Sequence, residues 1–397
     1  FFITDNGLMA PRTRNVTLWG LAHSLSIPEE YRKNPNIVTA LKERLPTSSD
    51  APIPAFFKFQ KSTVSVFTEA IAMEIATHFS TKTCFNYPAN LDKSPNSLYQ
   101  AVSPYLDTKT EFGNMVFSFL GRDEELITFY KIANAQEMTT DVMTLTELVP
   151  QFIAKALPHL SPEKTMQTVS HIQKDYAYQY LLRDFLGDID FTSKNSGIIV
   201  NPVRGYATIA PNFDFGEVMN SLVANKFSPP KLDSIENYSE AARQFITQES
   251  IDKFNAIKLA KYNCPVSEYA KRNTFEDRSD ININFICQAF PTVAQKFSED
   301  LENFMASGLI PEIIGKYSGE DNLITAEQAE MSIDYLQQRG AIFSEKLEDN
   351  LALVPGEKRY AYDEELYEEI IPDNASQQAN ESYLTETSIY EMNNSDK

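Results

Sequence analysis

The sequence predicts an α+β fold in two lobes: a small β-rich lobe with one main helix over residues 1–106, a larger, mostly helical lobe over 107–352, and an acidic tail over 353–397. Three observations predict it. The first hundred residues mix Pro-bounded, strand-like pieces with a single clear helical pattern. From about residue 135 to 350, apolar residues recur at helical spacing in successive segments, interrupted only by the stretch at 187–216. Beyond about Pro355, "YAYDEELYEEIIPDNASQQANESYLTETSIYEMNNSDK" is acidic, rich in Asn, Ser and Gln, and without a sustained apolar face. Such a segment cannot offset its ordering entropy alone, so a flexible tail is expected. The rest of the chain has ample material for a core, with 42% hydrophobic residues overall and 26 Phe beside 19 Tyr.

In chain order, the first informative element is "PAFFKFQ" at 54–60, whose alternation puts Phe57 and Phe59 on one face of a strand and Phe56, Lys58 and Gln60 on the other. "STVSVFTEAIAMEIATHF" follows. Ser62 is its candidate N-cap, and Phe67, Ala70, Ile71, Ile75 and Phe79 mark a helical apolar face. "LYQAVSPYLDT" at 98–108 reads either as the strand and hinge joining the lobes or as a surface connection. "YQYLLRDFLGDI" then reads as an apolar helix running into the stretch at 187–216. No internal repeat of solenoid period is present.

That stretch, "GDIDFTSKNSGIIVNPVRGYATIAPNFDFG", carries the chemistry. Ser196–Val200 and Tyr206–Ala210 are rich in β-branched and aromatic residues, and the intervening Asn201-Pro202-Val203-Arg204-Gly205 is turn chemistry, so a hairpin is expected. A hairpin brings its outer ends together. Asp190 and Asn195 before the first strand would then meet Asp214 after the second. Two carboxylates and an amide oxygen suit Mg²⁺, a hard cation that keeps waters and substrate phosphate oxygens in its shell. Phosphoryl transfer uses this set: one Asp as base for the acceptor hydroxyl, an Asn and a second Asp as metal ligands. The Asp-x-x-x-x-Asn spacing of Asp190 and Asn195, and the Asp-Phe-Gly at 214–216, match that pattern. Taken singly, each Asp or Asn reads equally well as a cap or turn residue.

On "DFTSKN" at 190–195, "APNFDFG" at 210–216 and the preceding "YQYLLRDFLGDI", the chain resembles the HipA-like (HipA/CtkA-type) family of bacterial serine/threonine protein kinases. That family carries a catalytic Asp-x-His-x-x-Asn, a hairpin, and an Ala-Pro-x-(Tyr or Phe)-Asp segment; here Thr192 stands where the family usually has His. The resemblance is specific over about thirty residues. It implies a protein-kinase-like fold and an ATP- and Mg²⁺-dependent enzyme that phosphorylates Ser or Thr on a protein substrate, itself included. It also implies roles: Asp190 as catalytic base, Asn195 and Asp214 as metal ligands, Lys58 as the lysine on the nucleotide's phosphates, and Glu69 as its helix partner. Glu74 is the rival to Glu69 on the same helix. No glycine-rich phosphate loop is present, and the substitutes are "DNGLMAPRTRN" at 5–15, with Gly7, Arg12 and Arg14, or "PTSSDAP" at 46–52.

Composition excludes other classes. A formal charge of −20 argues against sequence-independent nucleic-acid binding and against anionic membranes, and no run is apolar enough for a membrane span. Cys84, Cys264 and Cys287 are odd in number and widely spaced, which fits a reducing compartment, the cytoplasm or a host cell entered as a secreted effector. His23, His78, His159 and His171 form no His-Glu-x-x-His pair, and Gly-x-Ser-x-Gly is absent, so neither a metalloprotease nor a serine hydrolase is expected. In the tail, "EELYEEI" around Tyr367 resembles the acidic tyrosine motifs that SH2 domains read once phosphorylated, and "SIYEM" around Tyr390 is a looser case. The alternative function is a pseudokinase-like binding module recruiting partners through its helical lobe or this tail. A lipid or small-molecule kinase would share the same catalytic residues.

Overall fold

The computed structural model describes residues 2–9, 17–23, 52–59, 63–90, 112–117, 119–120, 123–133, 142–216, 218–219, 232, 234–237, 239–244, 246–271, 278–319 and 323–355. The strands are β1 (Phe2–Met9), β2 (Thr17–His23), β3 (Pro52–Phe59), β4 (Asn86–Asn90), β5 (Phe112–Phe117), β6 (Glu125–Thr128), β7 (Gly197–Asn201) and β8 (Tyr206–Ile209). The helices are α1 (Thr63–Ala76), α2 (Phe129–Ile132), α3 (Val142–Ala156), α4 (Pro162–Leu186), α5 (Glu240–Arg243), α6 (Gln248–Tyr262), α7 (Val266–Lys271), α8 (Arg278–Ala289), α9 (Pro291–Ser307), α10 (Leu309–Gly315) and α11 (Ala326–Ala352).

Among the described residues, β1–β5 form a five-stranded sheet in the order β1-β2-β3-β5-β4, with β3 central and antiparallel to both neighbours. The sheet takes in β5, past residue 106 where the sequence reading ends the first lobe. Lys58 pairs across the ladder with Asn114, and the Asn114 amide donates to Val66 O of α1 at 3.1 Å, so α1 lies over the face that bears both residues. Phe57, one residue earlier, points to the other face and is fully buried. Its ring leaves no room opposite: a Cβ on Gly113 would come within 2.6 Å of it.

Residues 66–76 of α1 are buried all the way round, not on one face only, because the helix is enclosed between the sheet and the helical lobe. At its end Phe79 enters an aromatic cluster, 5.4 Å from Phe297 on α9 and 6.0 Å from Phe185 on α4. Phe343 on α11 closes that cluster, 5.8 Å from Phe297. Helix α1 therefore shares one continuous core with α4, α9 and α11.

The hairpin expected from the sequence is present as β7 and β8, in register Ile198↔Ile209 to Asn201↔Tyr206. Asn201 closes the turn, accepting from Arg204 N through its side chain at 2.9 Å, and Gly205 takes φ +71°. A third strand, β6, pairs with β7 and was not expected. Helix α11 ends at Ala352; residues 356–397, with Tyr367 and Tyr390, lie outside the described residues.

Candidate active site

Helix α4 delivers the first part of the site. Ser161 caps its start, accepting from Lys164 N at 3.3 Å, and Gly187 ends it with φ +71°. The chain then enters 188–196, a loop held by its own polar groups. The Asp188 carboxylate accepts from Asp190 N at 3.1 Å. Thr192 is a turn hub: its carbonyl accepts from Asn195 N at 2.9 Å and Ser196 Oγ at 3.1 Å, and its hydroxyl accepts from Lys194 N at 3.3 Å. From outside, α2 fixes the loop through Phe129 N to Ser196 O at 3.0 Å and Tyr130 N to Ser193 O at 2.9 Å.

On this loop Asn195 Nδ2 donates to Asp190 O at 2.8 Å and to Asp190 Oδ2 at 3.1 Å. The amide nitrogen is thus turned toward Asp190, which leaves Oδ1 as the atom with lone pairs to offer a cation. Burial first, and the Asp214 charge second, hold the Asp190 carboxyl above its ordinary value.

Asp214 lies beyond β8, in a segment that threads between α4 and the loop after α1. Gln179 of α4 donates to Ala210 O at 2.7 Å, while Cys84 N donates to Asn212 O at 2.7 Å and Asn212 N to Lys82 O at 2.9 Å. Asp214 itself has φ +61°, an uncommon conformation for a residue with a side chain. Its Oδ1 is 2.5 Å from the Lys58 ammonium, which also lies 3.1 and 3.0 Å from the two carboxylate oxygens of Glu69. Burial alone would lower the Lys58 pKa. The Asp214 and Glu69 carboxylates outweigh it and hold the ammonium above its ordinary value. The same contact, against burial, holds Asp214 below the usual carboxylate range.

The structure thus brings Lys58, Glu69 and Asp214 into direct contact, and hydrogen-bonds Asp190 to Asn195 on the adjoining loop. Glu74 is not part of this contact; it faces the helical lobe. Of the candidate phosphate-covering residues, Gly7 falls within β1, whereas Arg12, Arg14 and residues 46–51 lie outside the described residues, as does the 98–108 connection.

Sequence reasoning missed the residue that joins the two loops. Arg183 is fully buried; it pairs with Asp188 Oδ2 at 2.5 Å, and donates to Asn212 Oδ1 at 3.2 Å, Asp214 O at 3.3 Å and Phe213 O. Its guanidinium lies over the rings of Phe191 at 4.6 Å and Phe215 at 4.2 Å. One planar cation with five donors therefore fixes the 188–196 loop and the Asp-Phe-Gly segment at once. The available signal was a lone Arg within the apolar run "YQYLLRDFL", where a charge must be buried with partners.

Among the described residues, no three His, Cys, Asp or Glu side chains converge as a metal cage. One carboxylate and one amide oxygen fit a cation that keeps waters and substrate oxygens, as Mg²⁺ does. Nor is any helix among the described residues long and apolar enough to cross a membrane.

No protein-family model matches the chain, and no curated protein matches it. Among solved structures, it is similar to the proinflammatory kinase CtkA of Helicobacter pylori, with 15% identity, 76% of this chain and 90% of that chain covered, and a TM-score of 0.41. It is also similar to Shewanella oneidensis MR-1 HipA, solved with HipB and its operator DNA, with 10% identity, 88% of this chain and 68% of that chain covered, and a TM-score of 0.43.

Proposed function

We propose that this protein is an ATP- and Mg²⁺-dependent phosphotransferase of HipA-like type that phosphorylates a Ser or Thr hydroxyl on a protein, its own chain included. What supports this is the Lys58 ammonium held between Glu69 and Asp214, beside a loop on which Asn195 is bonded to Asp190. Lys58, oriented by Glu69, exchanges its bond to Asp214 for phosphate oxygens of the nucleotide. Asn195 Oδ1 and the Asp214 carboxylate would hold Mg²⁺, which when bound neutralises charge on the β- and γ-phosphates. Asp190 orients the acceptor hydroxyl. The hydroxyl oxygen forms a bond to the γ-phosphorus, the bond from that phosphorus to the β–γ bridging oxygen breaks, ADP leaves with the electron pair, and the proton passes to Asp190.

Incubation with γ-labelled ATP and Mg²⁺ tests this reading. Wild type should incorporate label into itself or a generic protein acceptor, and chelation of the metal should stop it. Asp190→Ala should reduce transfer by roughly 10²–10⁴-fold with the circular dichroism spectrum unchanged. Undiminished transfer by Asp190→Ala removes Asp190 as the base. Nucleotide binding with no transfer by wild type points instead to the pseudokinase-like binding module.

A further inference from the structure

Helix α1 carries two buried carboxylates, Glu69 at 2% exposure and Glu74 at 4%. Five residues apart, they lie about 140° from each other around a helix, so both cannot face the sheet. A buried carboxylate without a partner is costly, and each has one on a different lobe. Glu69 takes Lys58 from the sheet. Glu74 takes two partners from the chain just after α10: one carboxylate oxygen accepts from the Lys316 ammonium, and the other from the Tyr317 hydroxyl at 3.2 Å. The Tyr317 ring also meets Phe67 of α1 edge-on, 5.8 Å between centroids.

The receiving side is hydrogen-bonded to the start of α11. Tyr317 O accepts from Ile324 N at 3.2 Å, and Gly319 N donates to Ile324 O at 3.2 Å, which ties the residues after α10 to the start of α11. There Thr325 and Gln328 form a reciprocal capping box. Further along α11, Arg339 donates to Asp184 O at 3.0 Å and Oδ1 at 2.9 Å, and Tyr335 abuts Gly187 at the entry to the 188–196 loop. One framework therefore touches α1 at Glu74 and the end of α4 at Asp184 and Gly187.

From this we infer that Glu74, Lys316 and Tyr317 form a latch that holds α1 against the helical lobe, so that Glu69 stays presented to Lys58. Resting on the phosphotransfer reading, Lys316 and Tyr317 are positioning residues for that reaction: they touch neither nucleotide nor acceptor, and act through Glu74 and the helix. Lys316 is the accessible member, its side chain 45% exposed, so it can be changed without cutting into the core.

The test compares full-length Lys316→Met and Lys316→Arg with wild type by three readouts. Hydrogen exchange should show lost protection across residues 69–76 in Lys316→Met, with α4 and α11 unchanged. Labelling of Lys58 by an amine-acetylating reagent should rise several-fold. The kcat/KM for ATP should fall about tenfold, the kinetic equivalent of one charge-assisted hydrogen bond, and Lys316→Arg should restore all three. Tyr317→Phe should show the same pattern more weakly. Wild-type exchange over 69–76 and wild-type Lys58 labelling in Lys316→Met would overturn the latch, whatever the kinetics. If wild type transfers no phosphate, the functional reading falls, and exchange and labelling still decide the latch.

Discussion

At the scale of single residues, the site is built from buried charges that meet in pairs, and the pairing dictates what removal does. Arg183 and Asp188 are both fully buried and in contact. Arg183→Met keeps the bulk but strands a carboxylate, so it should destabilise the fold by about 3–5 kcal/mol. Burial, against Arg183, already pushes the Asp188 carboxyl up to about 6. Without the guanidinium it rises further, so the stranded group can neutralise itself by taking a proton. The loss measured by urea unfolding should therefore be smaller at pH 5 than at pH 8, and Asp188→Asn in the Arg183→Met background should recover part of it at pH 8. A loss independent of pH would mean that the lost bonds to Asn212 and Phe213 dominate. The Lys58–Glu69 pair obeys the same logic, since Lys58→Met removes the cation that faces the buried Glu69 carboxylate.

At the scale of elements, the turn that ends α4 sets where the 188–196 loop begins. Gly187 has φ +71°, and a Cβ there would lie 2.2 Å from the Tyr335 hydroxyl. Gly187→Ala should cost roughly 1–2 kcal/mol for the left-handed backbone plus the steric term. Tyr335→Phe in that background should return the steric part alone, and thermal denaturation of wild type, the two single variants and the double variant separates the two. Such local devices were legible in the sequence. The Asn201–Gly205 turn, the strands beside it and the "DFTSKN" loop are specified by residues within a few positions of one another, and each is found where its chemistry placed it. What was not legible is long-range. The four residues of β6 carry too little pattern to announce a strand. Nothing near Glu74 reveals that its partner is Lys316, and the sequence alone left Glu69 and Glu74 as rivals. Only the enclosure of α1 on all sides separates them, because it gives each carboxylate a different lobe to face.

At the scale of the whole molecule, the shared core makes stability sensitive to groups at the seam between α1 and the helical lobe. His78, just past α1, packs against Phe304 of α9 at 5.6 Å, and burial lowers its pKa, with Glu74 and Glu312 opposing and Lys316 assisting. His171 on α4 is lowered too, by burial and then by Lys174. For a histidine depressed in the folded state, the unfolded chain binds more protons, so stability is fully present above the unfolded value of about 6.5 and declines as pH falls through it. Asp188 acts with the opposite sign: raised to about 6, it favours the folded state at low pH and loses that contribution as pH climbs from the ordinary Asp value of about 3.9 toward 6. The two windows overlap near pH 6, where Asp188 offsets part of the histidine loss, so between about pH 7.5 and 6 the histidine effect is read as a difference between two proteins that both keep Asp188. Across that interval the urea midpoint of wild type should fall relative to that of the His78→Gln, His171→Gln double variant. An unchanged slope in the double variant would assign the loss to other groups and leave the seam without a proton-sensitive member.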